Sequence, residues 1–279
     1  MRALILALAV VAVCAALDLP QCGQTPVTPN VKVTNAIKNA EPAMPYSWPW
    51  MVALCKNNWV SVCEYQCAGV IIGQRFILTA ASCLDSDTKD WRVRTGVYDE
   101  DKKDEPTEKV YKILSHYQHP DYNSGSKINN IAIIEIDNAL EYNGYTQFVC
   151  LPEDDGNVTD SDMYGYMTGW GYQKKGGSVQ QPLNQVKIGF DSAETCERTY
   201  ARTIASTEIC AGTGDVTVCN HDEGDPIVVK ASNGYWYMHG SASIIDGECR
   251  IPGIFTRISQ YCSWIHTTTN DDVKCVKRS

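Results

Sequence analysis

The sequence has little that would bind nucleic acid or cross a membrane. Its basic residues do not cluster, and with a formal net charge of −9 and a pI near 5.0 we expect no nucleic-acid or anionic membrane partner. No second apolar run follows the one at residues 1–16, so the sequence predicts no membrane insertion. Internal repeats and low-complexity tracts are also missing. The 279 residues, 44% of them hydrophobic, can bury a large core in two domains or two packed barrels.

Paired CxxC motifs are absent as well, although the chain contains 13 cysteines. Residues 1–16 combine one early positive charge, an apolar run and small residues near their end. This pattern predicts a signal peptide cleaved around Ala16, and therefore a secreted, extracellular protein. Cys14 leaves with that segment, and the even number that remains favours disulfides in an oxidising compartment. The spacing between Cys67 and Cys83 suits a bridge better than a zinc site.

Two local features suggest a calcium site and a glycosylation site. Residues 99–108 are acidic enough to suggest a calcium site, but regular ligand spacing is missing. A solvated loop is the favoured interpretation, and calcium binding stays open. Asn157 begins an Asn-Val-Thr sequon, which predicts N-glycosylation of a secreted chain. We expect no resident metal and no cofactor.

The pattern of apolar residues predicts an all-β protein. Residues 17–36 are rich in Pro, Thr, Asn and Val without a helical period, so we expect an extended leader pinned by Cys22. Short runs rich in Val, Ile and Tyr then alternate with Gly, Asn and Asp turns, which favours a barrel or a sandwich. Helical patterns occur only at residues 192–200 and 258–269.

A series of short motifs carries a resemblance to a known family. In chain order they are SWPW (47–50), CAGVII (67–72), LTAASC (78–83), NNIAII (129–134), TGWG (168–171), ICAG (209–212), CNHDEGDP (219–226), Pro252 with Gly253, and Trp264 with Ile265. Each motif alone is weak, but their order from about Ile37 to His266 resembles the trypsin/chymotrypsin family of serine proteases.

The resemblance implies an architecture. It predicts two six-stranded antiparallel β-barrels, at about residues 37–148 and 149–257, followed by a C-terminal helix. The homology domain then spans residues 37–270, and residues 271–279 form a tail.

The resemblance also implies disulfide pairings. Three pairs fall on positions that the family uses: Cys67–Cys83, Cys196–Cys210 and Cys219–Cys249. A fourth, Cys22–Cys150, would tether the leader to the body. Elimination leaves two local pairs, Cys55–Cys63 and Cys262–Cys275.

The catalytic positions depart from the family pattern. Family members cut peptides with a serine whose proton passes to a histidine that an aspartate orients. Ser82 stands at the histidine position, and its hydroxyl cannot accept a proton at neutral pH as imidazole does. Asn130 replaces the aspartate, and Glu223 replaces the nucleophilic serine. Because loss of one such member typically removes about four to six orders of magnitude in rate, we predict no peptidase activity.

Neither the oxyanion hole nor another histidine restores the chemistry. His221 takes the place of a glycine whose backbone conformation is costly for a residue with a Cβ. The remaining histidines are predicted to be surface or packing residues rather than bases: His116, His119, His239 and His266. A metal site at residues 221–223 is disfavoured because adjacent side chains usually point in different directions.

The specificity pocket and the activation switch are altered too. The pocket positions implied by the resemblance are Thr217, Ser243, Ile245 and Gly253. Thr217 offers no counter-charge to a basic substrate side chain, and Ile245 should fill part of the mouth, so simple packing is favoured over a new ligand pocket. Ile37 would be the new amino terminus of an activated chain and Asp222 its acceptor. The preceding Ala36 does not suit a trypsin-like activator, so we expect a single chain.

Two functional classes follow from these residues. The leading hypothesis is a secreted, non-catalytic protease homologue that binds or regulates an unidentified extracellular protein as a decoy, cofactor or adhesion protein, and acts as a monomer. The competing hypothesis is a weakly active or chemically repurposed endopeptidase-like hydrolase built around Glu223 and His221.

Overall fold

The computed structural model describes residues 21–31, 40–57, 63–102, 105–156, 163–171, 182–212, 223–246 and 251–278. Several predicted features lie outside these residues: the signal peptide at 1–16, Ile37, the Asn157 sequon, Thr217, the Cys219–Cys249 pair, His221 and Asp222.

The first barrel contains six antiparallel strands. They are β2 (Met51–Asn57), β3 (Cys63–Ile71), β4 (Phe76–Thr79), β5 (Trp91–Thr95), β6 (Lys109–Gln118) and β7 (Ala132–Ile136). The barrel closes in the order β2-β3-β4-β7-β6-β5. Val52, Leu54 and Ile133 are fully buried in it, as expected for β-branched and aliphatic runs that are covered on their inner face.

The second barrel also contains six strands. They are β8 (Tyr164–Gly169), β9 (Asn184–Asp191), β10 (Glu208–Ala211), β11 (Pro226–Lys230), β12 (Trp236–Ile244) and β13 (Gly253–Arg257). The sheet order β9-β10-β13-β12-β11-β8 closes through pairing of β8 with β9. The short strand β1 (Glu41–Pro42) adds to the edge of β9. The predicted pair of six-stranded barrels is confirmed.

Two α-helices accompany the barrels in the described part of the chain. Helix α1 spans Ala193–Tyr200, and α2 spans Cys262–Thr268. The sequence predicts one helix over residues 258–269, but Ile258–Tyr261 form a 3₁₀ turn before α2 begins. No helix in the described ranges is long and apolar enough to span a membrane.

Disulfides fasten the leader and the tail to the barrels. The described residues contain the bridges Cys22–Cys150, Cys55–Cys63, Cys67–Cys83, Cys196–Cys210 and Cys262–Cys275. Beside the first bridge, the Gly23 N–H donates to the Phe148 carbonyl at 2.7 Å and the Trp236 N–H donates to the Gly23 carbonyl at 3.0 Å. The described part of the leader is therefore an integral part of the fold.

The acidic loop after β5 is organised by a buried arginine. Arg94 donates to Glu108 at 2.7 Å and to Glu100 at 2.9 Å. The carboxylate of Glu105 accepts hydrogen bonds from the backbone N–H groups of Tyr98 and Asp99. The carboxylates of Glu100, Glu105 and Glu108 therefore accept hydrogen bonds from protein donors. The sequence favours a solvated loop, in which water would occupy these carboxylates. No cluster of three or more metal-ligating side chains occurs among the described residues.

Candidate active site

The three positions that the family resemblance assigns to the catalytic triad lie in or beside one cleft. A 3₁₀ turn at Ala81–Cys83, directly after β4, positions Ser82, and Asn130 stands two residues before β7. Glu223 precedes β11, and Ser243 belongs to β12. Together these elements enclose a cavity of about 540 Å³. Its lining residues are Lys56, Gln66, Cys67, Ser82, Cys83, Asp85, Trp91, Lys127, Glu223 and Ser243.

Asn130 organises this cleft through hydrogen bonds. Its side-chain Oδ1 accepts from the Ser82 backbone N–H at 2.8 Å. Its Nδ2 donates to Ser82 Oγ at 3.1 Å and to Ser243 Oγ at 3.0 Å. Asn130 is completely buried, and Thr256 Oγ1 donates to its carbonyl at 3.0 Å. A neutral amide thus donates to two hydroxyl groups that lie far apart in the sequence, one in the 3₁₀ turn after β4 and one in β12.

This network should contribute measurably to stability. Replacing Asn130 with alanine removes a completely buried amide together with its hydrogen bonds to the Ser82 N–H, Ser82 Oγ and Ser243 Oγ, so we expect the free energy of unfolding to fall by about 2 kcal/mol. Chemical denaturation compares this variant with Asn138→Ala, which removes an exposed amide and should change stability by less than about 0.5 kcal/mol. Equal losses in the two variants would show that the network is not structurally important.

Glu223 is fixed by the strand that carries Ser243. The Gly224 N–H donates to the Ala242 carbonyl at 3.0 Å, and the Ala242 N–H donates to the Asp225 carbonyl at 2.9 Å. Gly224 has a φ of +87°, and a Cβ there would collide with the Ala68 carbonyl, so only glycine fits without strain. The Glu223 carboxylate therefore stands on a constrained turn at the edge of the cleft.

Two of the charged side chains that line the cleft pair with each other. Lys56 and Asp85 form an ion pair at 2.7 Å on the exposed rim. The hydrogen bond from Lys56 lowers the pKa of Asp85, and the same bond raises the pKa of Lys56, so both groups stay charged near neutral pH. Lys127 interacts with the Tyr122 hydroxyl at 3.3 Å. No histidine occurs among the described residues that line this cavity.

The described pocket positions are used for packing and pairing. Ile245 is half-buried against the core of the second barrel. Gly253 pairs with Ala211 between β13 and β10. Ser243 accepts the hydrogen bond from Asn130 and donates weakly to the Lys127 carbonyl at 3.4 Å. That Ile245 occupies space at the mouth of the pocket stays a prediction.

None of the four remaining histidines lines the cleft. His116 lies 3.4 Å from Thr88 Oγ1, and His266 pairs with Asp271 at 2.8 Å. His119 packs against the rings of Tyr261 and Trp264, and its partial burial lowers its pKa. His239 is completely buried in β12.

Sequence reasoning missed two buried aspartates. Asp225, next to the cleft, is 1% exposed, and its carboxylate fills space that the absent side chain of Gly169 leaves open. Asp155 accepts hydrogen bonds from His239, Ser259 and Arg257. The one sequence feature that pointed to the cluster around Asp155 was His239 on a predicted strand. A single histidine in a sequence does not identify the residue that it will hydrogen-bond.

Comparison with known proteins agrees with this geometry. The family model described as Trypsin matches residues 37–265. The chain is 32% identical over 255 residues to Chymotrypsin-C of Rattus norvegicus, covering 88% of this chain and 92% of the relative. Chymotrypsin-C of Bos taurus is 31% identical over 255 residues, which again cover 88% of this chain and 92% of the relative. Ovochymase of Halocynthia roretzi is 29% identical over 262 residues, 91% of this chain but 16% of that longer protein.

Proposed function

The chain belongs to the trypsin family, and we propose that it is a secreted member that acts by binding or regulating another extracellular protein, without cutting peptides. The names of its relatives would suggest peptide hydrolysis, so the proposal depends on the residues in the cleft of this chain.

The hydrogen-bond network of Asn130 carries the proposal. Peptide hydrolysis by this family needs an imidazole that takes a proton from the nucleophile and a carboxylate that stabilises the resulting cation. Here the corresponding contact joins the amide of Asn130 to the hydroxyl of Ser82, and both groups are neutral. Neither can accept a proton at neutral pH, so activation of an attacking oxygen has no support at these two positions.

Glu223 does not supply the missing chemistry. Attack of a carboxylate on a peptide would form a labile anhydride and would still require a proton donor for the leaving amine. The ammonium of Lys56 is engaged with Asp85, whose pKa is lowered by that contact. This arrangement supports a polar binding surface in place of a catalytic constellation.

The rigid scaffold supports a role in recognition. Two closed barrels and five described disulfides hold the surface loops in place, and pre-organised loops bind partners at a lower entropic cost. The disulfides are consistent with an extracellular location. We propose a monomer that recognises a protein and not nucleic acid, and that does not insert into a membrane.

Capture of the partner tests this function. The full chain, tagged and immobilised, is incubated with the native secretion, and bound proteins are identified by mass spectrometry with labelling of new amino termini. We expect a saturable partner that is recovered intact, in equal amounts on wild-type protein and on Glu223→Gln. New termini in the partner that depend on Glu223 would contradict the proposal and favour the hydrolase.

A further inference from the structure

A second cavity, separate from the cleft, encloses about 410 Å³. Four segments form its walls: the leader at Cys22, the β3–β4 turn, the segment that joins the barrels, and the C-terminal tail. Backbone hydrogen bonds fix these walls, because the Val149 N–H donates to the Ile71 carbonyl at 3.1 Å and the Val276 N–H donates to the Leu151 carbonyl at 2.8 Å. The bridges Cys22–Cys150 and Cys262–Cys275 tie the leader and the tail to the same region. The cavity is therefore preformed.

The lining of this cavity is mainly apolar. Its aliphatic and aromatic members are Ile72, Phe76, Tyr142, Phe148, Val149, Leu151, Val273 and Val276. The ring of Tyr142 stacks on Phe148 with centroids 4.8 Å apart, and burial raises the pKa of Tyr142, so its hydroxyl stays neutral. A cavity of this size with mainly apolar walls matches the usual properties of small-molecule sites in proteins.

Two cations and one anion line the same cavity. Arg75 uses Nη2 to donate to the Ile136 and Asp137 carbonyls, and its Nε lies 3.6 Å from Glu135. Among the described residues, the Nη1 atom of Arg75 and the Nζ of Lys274 have no hydrogen-bond or ion-pair partner. Asp272 supplies the single negative charge of the lining. The excess charge of the lining is positive, on a chain whose net charge is −9.

We propose that this cavity binds a small amphipathic carboxylate, with its unbranched hydrocarbon tail among the apolar walls and its carboxylate at Lys274 and Arg75. Burial of the tail drives binding, since each methylene removed from water contributes favourably. The cations select an acid over an alcohol or an amine of equal length, because a charge-assisted hydrogen bond is stronger than a neutral one. The proposal goes beyond the function of the cleft and does not depend on it.

A medium-chain fatty acid tests the site directly. Isothermal titration of the full chain with hexanoate, octanoate and decanoate should show saturable one-to-one binding that tightens by about fourfold per methylene. Decanol and decylamine serve as uncharged and cationic probes of the same tail, and both should bind more weakly than decanoate. Binding should also raise the midpoint of thermal unfolding in proportion to ligand saturation.

A matched pair of lysine variants identifies the headgroup contact. Lys274→Gln should weaken decanoate binding by about three- to tenfold while leaving decanol binding unchanged. Lys277→Gln removes another exposed lysine of the same tail that does not line the cavity, and it should change neither ligand. Both positions are exposed, so both variants should fold. Absence of saturable binding, equal affinity for decanoate and decanol, or equal effects of the two lysine variants would each overturn the proposal.

Discussion

Replacing Arg94 with methionine should lower the free energy of unfolding by about 3–5 kcal/mol at pH 7, among the largest single-residue effects we expect in this chain. The side chain of Arg94 is 6% exposed, and those of Glu100 and Glu108 are 10% and 8% exposed. Removal of the guanidinium leaves two carboxylates buried without their partner. The cost of breaking such a pair greatly exceeds that of breaking a surface ion pair.

The loss of stability in Arg94→Met should depend on pH, because the pKa of Glu100 is shifted in the folded protein. Burial raises the pKa of Glu100 above its usual value even though Arg94 opposes the shift. A carboxyl group whose folded pKa is raised contributes stability that is present at low pH and lost as the pH rises through that pKa. Without Arg94 the pKa of Glu100 rises further, so the defect of Arg94→Met should be larger at pH 7 than at pH 4.5.

Arg92 provides the matched control. It lies two residues away on the same strand, but its Nη1 donates only to the Lys89 and Trp91 carbonyls. Arg92→Met should cost less than about 1 kcal/mol in urea denaturation. Adding Glu108→Gln to Arg94→Met should recover part of the loss, because one buried charge is then removed. Similar losses for Arg92→Met and Arg94→Met would rule out the buried ion cluster as a stabilising feature.

Replacing Asp155 with asparagine should lower the free energy of unfolding by about 2–4 kcal/mol at neutral pH. Its Oδ1 lies 2.9 Å from His239 Nδ1, and its Oδ2 accepts from Ser259 Oγ at 2.8 Å and from Arg257 Nη1 at 3.0 Å. Asparagine keeps the shape of the side chain, but its amide NH₂ replaces one of these oxygens. An NH₂ group cannot accept the hydrogen bonds that this oxygen accepts. The cluster joins the segment after Cys150 to strands β12 and β13, so its loss should loosen the second barrel.

The difference in stability between wild type and Asp155→Asn should decrease at acidic pH. Burial alone would raise the pKa of Asp155, but the hydrogen bonds from His239 and Ser259 and the charge of Arg257 outweigh it and hold the pKa below its usual value. A carboxyl group whose folded pKa is lowered contributes stability above its unfolded pKa and loses it as the pH falls through the folded pKa. The gap between wild type and Asp155→Asn should therefore be widest near pH 7 and shrink below about pH 4.

The neighbouring residue separates this effect from a general loss of charge. The Asp154 carboxylate accepts from the Gly156 N–H at 3.0 Å and is exposed to solvent. Asp154→Asn should change stability by less than about 0.5 kcal/mol at any pH from 3 to 7. A pH-independent loss in Asp155→Asn would show that its charge is not what stabilises the fold.

Much of the fold follows from local sequence. The β-branched run Ile131–Ile136 lies next to a turn, and the structure places Ala132–Ile136 in a strand. The strand prediction succeeds because strand patterning is a property of neighbouring residues. The assignment of Ser82, Asn130 and Glu223 to the catalytic positions rests on the motif order and stays a prediction.

The contacts that define the sites are not local. Asn130 and Ser243 are 113 residues apart in the chain, and Asp155 and His239 are 84 apart, so neither pairing leaves a period or a spacing in the sequence. The same holds for the second cavity, where residues of the leader, the β3–β4 turn and the tail that are far apart in the chain lie together. Residues 99–108 appear as a solvated acidic loop in the sequence because the neutralising arginine belongs to the preceding strand.

The most direct test of the account is a peptidase assay on the purified, secreted chain. A panel of fluorogenic peptides with basic, aromatic and small aliphatic residues before the scissile bond is followed over hours for wild type, Ser82→Ala and Glu223→Gln. We expect rates equal to the buffer blank in all three, because no group in the described cleft both activates an oxygen and accepts its proton. Turnover by the wild type that disappears in Glu223→Gln or Ser82→Ala would contradict the account.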